Sequence, residues 1–128
     1  MDGTRTILVI AEECFSAQIV RCLERRAYKT LATDLASQGL EWVRSNVNIS
    51  LVVTYADGPA DRDGWQILRT IKADPVTRDM PVIMLSSDDQ AHRAWAAGAD
   101  CVLDLPLDLR MLDVFIQRIL YPGTAHRW

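Results

Sequence analysis

Lysine is nearly absent. Lys29 and Lys72 are the only two in 128 residues, and arginine supplies the rest of the positive charge. With 14 basic residues against 17 acidic ones, the chain lacks the basic excess that a nucleic-acid binder needs to neutralise phosphates. Long apolar runs are missing too: Ile7–Ala11 and Val82–Leu85 are far too short to span a bilayer, so no membrane partner is expected. The opening Met1-Asp2-Gly3-Thr4-Arg5 has none of the pattern of a signal peptide. Cysteine is sparse, and Cys14, Cys22 and Cys101 show no C-x-x-C spacing, so they read as small apolar fillers in reduced form. His92 and His126 have no second ligand at metal spacing and read as surface residues. These absences predict a soluble protein of a reducing cytoplasm.

What is present is enough apolar material for a core. Hydrophobic residues make up 49% and charged residues 24%, which sets the chain apart from disordered sequences, and its length suits one domain over 1–128 with no room for a second. Short β-branched runs alternate with segments of helical period. Strands are predicted at Ile7–Ala11, Lys29–Thr33, Ile49–Tyr55, Val82–Ser86 and Cys101–Leu105. Helices are predicted at Cys14–Arg26, Ser37–Asn46, Gly64–Ala73, Asp89–Ala97 and Leu109–Leu120. Gly98 is suited to cap the fourth helix, and Pro122-Gly123 ends a core of about residues 5–121, leaving 122–128 as a tail. Five strands alternating with five helices imply an α/β fold, a doubly wound parallel sheet with helices on both faces. In such sheets chemistry gathers beyond the carboxyl ends of the strands. The residues there are Glu12 and Glu13, Tyr55 to Asp57, Ser86 and Ser87, and Asp104 to Pro106.

At these strand ends the chain resembles a CheY-like receiver domain of response regulators, the flavodoxin-like fold. The likeness runs through Asp63-Gly64-Trp65-Gln66-Ile67-Leu68-Arg69, Asp74-Pro75, Thr77-Arg78 and Pro81-Val82-Ile83-Met84-Leu85-Ser86, then Gly98-Ala99-Asp100 and Pro106. The resemblance implies a two-component or phosphorelay role. It calls for two carboxylates after the first strand and an aspartate ending the third, which hold magnesium, the aspartate being the phosphoryl acceptor. It also calls for a hydroxyl residue ending the fourth strand and a lysine ending the fifth.

Position by position, this sequence departs from that pattern. Ala11 stands at the first carboxylate position and Glu12 at the second. The acceptor position falls on Tyr55 when Pro59 sets the register and on Ala56 when Asp63-Gly64 does; neither is a carboxylate. Ser86 keeps the hydroxyl, Leu105 replaces the lysine, and Val102 replaces an aromatic of the fifth strand. The spacing from Ser86 to Leu105 is also about three residues short of the family's, nearly one helical turn, which shortens the fourth helix.

The replacements agree with one another. Removing a cation from the phosphate site and a carboxylate from the acidic cluster turns a charged pocket into a packed one. The expectation is a stand-alone pseudo-receiver, not an enzyme, that acts by contact with a protein partner: a histidine kinase, another regulator or a second copy of itself. Trp95 on the shortened helix is the candidate partner surface, read equally well as packed inward or as an exposed anchor. Trp42 and Trp65 read as ordinary packing residues. No cofactor is expected, Mg2+ included, with Glu12 and Asp57 the only weak candidates for a cation. Two alternatives stand beside this reading. One is a phosphoacceptor receiver using a displaced Asp57. The other is a small-ligand binder on a similar fold, disfavoured because no glycine-rich loop follows the first strand.

Overall fold

Valine, isoleucine and leucine dominate five short runs that pair side by side as a parallel sheet: β1 (Thr6–Ile10), β2 (Lys29–Thr33), β3 (Ile49–Tyr55), β4 (Val82–Ser86) and β5 (Cys101–Asp104). The structure is a computed structural model. It describes residues 5–45, 48–56, 64–86, 91–104 and 108–121, without the side chains of Cys14, Phe15, Ala91 and His92. Strand order is β2-β1-β3-β4-β5, so the direction of winding reverses beside β1. The helices between are α1 (Glu13–Arg25), α2 (Ala36–Arg44), α3 (Gly64–Ala73), α4 (Ala91–Ala96) and α5 (Leu109–Leu120).

The α/β architecture is the one expected, and β2, β3, β4, α3 and α5 keep their expected bounds. The first strand stops one residue earlier than expected, leaving Ala11 just beyond it, and α1 starts at Glu13 and ends at Arg25. The second helix starts one residue earlier than expected and ends at Arg44, with the expected last residue, Asn46, outside the described residues. The fourth helix is six residues long, with positions 89 and 90 outside the described residues.

Strand alternation divides the core into two layers. Ile7, Val9, Leu51, Val53, Ile83 and Leu85 face α1 and α5, meeting Ile19, Leu23, Leu112 and Ile116. Leu8, Ile10, Val52, Val82 and Met84 face the other way, meeting Val43, Trp65, Ile67, Leu68, Ile71 and Ala94. Both faces of the central strands are therefore covered, which is why they read as unbroken apolar runs. Trp42 packs half-buried against the second layer and Trp65 is buried in it, as expected of packing residues.

The amino edge of the sheet is tied by polar groups. Lys72, in the last turn of α3, donates from Nζ to the Met80 carbonyl at 2.8 Å, the Arg78 carbonyl at 3.2 Å and Asp100 Oδ2 at 3.1 Å. The same Asp100 oxygen accepts from the Val82 amide at 2.8 Å, so one cation and one carboxylate fix where β4 begins. Gly98, at φ 104, closes α4 in the left-handed conformation that the turn demands. Its neighbour's amide, Ala99 N–H, reaches back to the Ala94 carbonyl at 3.0 Å. The end of α1 repeats this geometry with Ala27 at φ 69, where Tyr28 N–H donates to the Leu23 carbonyl at 3.1 Å.

Candidate functional site

Beyond the carboxyl ends of β1, β3, β4 and β5 the side chains can be placed by register. Ser86 ends β4, is buried, and is the pairing partner of Asp104 on β5. On its other side, Tyr55 pairs with Leu85, and the Ala56 amide donates to the Leu85 carbonyl at 2.7 Å. Ala56 therefore lies alongside Ser86. It is 1% exposed and belongs to the layer under α3 and α4, whereas Tyr55 turns to the opposite layer and packs half-buried among α1 and α5 residues. Of the two registers the sequence allows for the acceptor position, Ala56 is the residue level with the hydroxyl.

The close fit of β3 to α3 has a local cause. Gly64 opens α3 directly against the chain leaving β3: a Cβ there would lie 2.9 Å from the Tyr55 carbonyl carbon and 3.0 Å from Ala56 Cα. Only glycine lets the helix start so near the strand end. Trp65 follows, and the Arg93 guanidinium of α4 sits 4.3 Å from its ring centroid, a cation–π stack that closes this end of the second layer.

Around β1 the edge is more open. Ala11 is buried and donates its amide to the Thr33 carbonyl at 3.1 Å. Glu12 takes the N-cap position of α1 without a capping side-chain bond, and its carbonyl accepts from Ser16 N–H at 2.8 Å. A cavity of about 370 Å³ opens here, lined by Ala11, Glu13, Ser16, Ala32, Thr33 and Asp34. It lies on the β1–β2 side, and neither Glu12 nor Ser86 lines it. Among the described residues, no three His, Cys, Asp or Glu side chains converge as cation ligands. Asp57 and Leu105 lie outside the described residues.

Both lysines of the chain stand at the opposite edge, Lys29 as the first residue of β2 and Lys72 in the α3 network. Two titrating groups there are displaced as well. Burial pushes the Cys101 thiol up to about 11, with the Asp100 charge adding to it. Burial, and then the charge of Asp113, pushes the Tyr28 phenol up to about 12.

Trp95 is 53% exposed on α4, so the structure decides for the outward of its two readings. Sequence reasoning missed two features. The Arg93–Trp65 stack joins residues of two helices, and no local pattern announces it. Asp113 is buried on the inner side of α5, bonded to Gln117 at 3.2 Å and to Arg26 at 3.4 Å, with Oδ1 lacking a partner among the described residues. Its i,i+4 spacing to Gln117 is visible in the sequence, but its pairing with Arg26 is not.

No family model matches the chain. Among curated proteins, the two-component response regulator ORR7 of Oryza sativa subsp. japonica is 30% identical over 94 residues, 71% of this chain. The chain spans only 44% of that relative's length. The response regulator ORR5 of the same plant is 21% identical over 92% of this chain and 90% of its own length. Among solved structures, a response regulator receiver domain protein from Clostridium thermocellum is 28% identical, with a TM-score of 0.82 over 93% of this chain and 96% of that one. The fold is that of this solved structure, and the likeness extends over nearly the whole chain. The chain belongs to the response-regulator family, as a CheY-like receiver domain.

Proposed function

We propose that this receiver acts by protein contact and not by accepting a phosphoryl group on an aspartate. The observation that carries the reading is the row level with Ser86. On one side stands buried Ala56, where a nucleophile is needed; on the other stands Asp104, a carboxylate that would repel an incoming phosphoryl group. Ala11 adds no ligand, and both lysines serve the far edge of the sheet. Among the described residues, a phosphoryl group here would meet neither a metal-binding carboxylate cluster nor a lysine. On this reading the protein is no enzyme and needs no cofactor, Mg2+ included.

Signalling then rests on the surface. Trp95, more than half exposed on a six-residue α4, is the apolar anchor offered to a histidine kinase, another regulator or a second copy of the chain. A reducing cytoplasm suits the free thiols Cys22 and Cys101.

The test is incubation with acetyl phosphate and magnesium, followed by intact mass measurement. The expected result is an unchanged mass. A stable gain of one phosphoryl group that Asp57→Ala abolishes would overturn the proposal in favour of the displaced acceptor.

A further inference from the structure

Helix α1 carries Gln18, Arg21, Cys22 and Arg25 at spacings of three and four, a single stripe that Arg26 extends. The stripe forms one wall of a groove of about 370 Å³, and Leu109 and Arg110, in the first turn of α5, form the other. Four arginines thus line one groove on a chain whose net charge is −3.

Ordinary helix electrostatics explains only part of this. Arg25 and Arg26, at the C-terminal end of α1, are where cations favour the helix dipole. Arg26 is also paired with Asp113 at 3.4 Å. Arg110 is the reverse case, a cation in the first turn of α5, where the dipole disfavours it. Its guanidinium reaches only the N-cap Asp108 at 3.7 Å and is 87% exposed, so that pair offsets little. Arg21 and Arg25 are like charges four residues apart, exposed, and without an ion-pair partner among the described residues. Such a pair works against its own helix. An anion seated between the helices would relieve both misfits at once.

We propose that the α1–α5 groove docks an acidic segment of a partner protein, its carboxylates meeting Arg21, Arg25 and Arg110. An apolar side chain of that segment would rest on Leu109 and Cys22, which line the same groove. A protein segment fits better than a nucleic acid for two reasons. The groove is short and partly apolar, and the acidic remainder of the chain repels a long polyanion. The proposal does not depend on whether the domain takes up a phosphoryl group, because none of these residues belongs to the Ser86 edge.

The probe is a synthetic peptide alternating glutamate and leucine, titrated into the isotope-labelled full chain at low salt. A lysine–leucine peptide and a single-stranded oligonucleotide are run beside it. The expected result is amide shifts confined to α1 and the start of α5, weakened by added salt. Arg21→Glu with Arg25→Glu should lower the affinity at least about tenfold, a loss of about 1.4 kcal/mol. Arg69→Glu, at an exposed arginine of α3, should leave it unchanged. Arg26 is left intact because it pairs with Asp113, and Arg110→Glu alone reads the same groove if the double reversal melts early. Peptide shifts elsewhere, equal binding by the charge-reversed chain, or tighter binding of the oligonucleotide in the groove would each sink the idea.

Discussion

The two edges of the same sheet are furnished in opposite ways. At the amino edge, Lys72 and Asp100 bind the Arg78 and Met80 carbonyls and the Val82 amide and hold the start of β4. At the carboxyl edge, the described contacts near Ser86 include close packing, with Ala56 under α3 and Gly64 against the β3 end, and the Arg93–Trp65 cation–π stack. In a receiver that accepts phosphate, the carboxyl edge is where charge is concentrated. Here both lysines, and the Lys72–Asp100 pair among the described residues, stand at the other side. Polar groups stabilise a fold when they are paired and satisfied, and they do chemistry when they are left open to a ligand. The Lys72–Asp100 pair is an instance of the first use.

That contrast can be broken from either side. The largest effect is expected at the packed edge, where Gly64→Val forces a branched side chain into the β3 backbone. A loss of about 3 kcal/mol is expected in urea denaturation, and a change under about 1 kcal/mol would mean that α3 is not tightly seated. At the polar edge, Lys72→Met removes three bonds from one ammonium. Because Asp100 is 40% exposed, its ion pair with Lys72 adds little; the carbonyl bonds set a loss of about 2 kcal/mol.

Alkali should act on the amino edge next. Unfolded, Cys101 and Tyr28 titrate at ordinary values; folded, they hold their protons up to about 11 and about 12. The native state then binds more protons than the unfolded one, so stability falls as pH rises. The contribution is intact below 9.0 for Cys101 and below 10.0 for Tyr28, and is lost as pH climbs through the folded values. Urea titrations at increasing pH should show the decline beginning at the lower limit, and Cys101→Ala should delay it to the tyrosine window. A flat stability profile across both windows would contradict the burial of these two groups. The smallest effect concerns the end of α1, where Ala27 holds φ 69. Ala27→Gly should raise stability by about 0.5–1 kcal/mol, seen as a small rise in Tm.

Much of this was legible in the chain. Continuous apolar runs marked the strands buried on both faces, and Gly98 marked the end of α4, because glycine announces a left-handed turn. Ala27 makes the same turn without announcing it, since nothing about an alanine signals positive φ. Trp95 was ambiguous because the short helix expected over Asp89–Ala97 has too few positions to define an apolar stripe. Asp113 was hidden because its partner, Arg26, is distant in sequence and close only across the α1–α5 contact.

The amino acids themselves determined the alternation of strands and helices, the absence of a carboxylate at Ala11 and the scarcity of lysine. Those are properties of single positions and short periods, and periodicity survives without a fold. Only the tertiary structure decided that Ala56, not Tyr55, stands beside Ser86, that both lysines serve the amino edge, and that four arginines share one groove. Each depends on strand register or on the meeting of distant segments, and neither is fixed until the sheet has closed and its helices have docked.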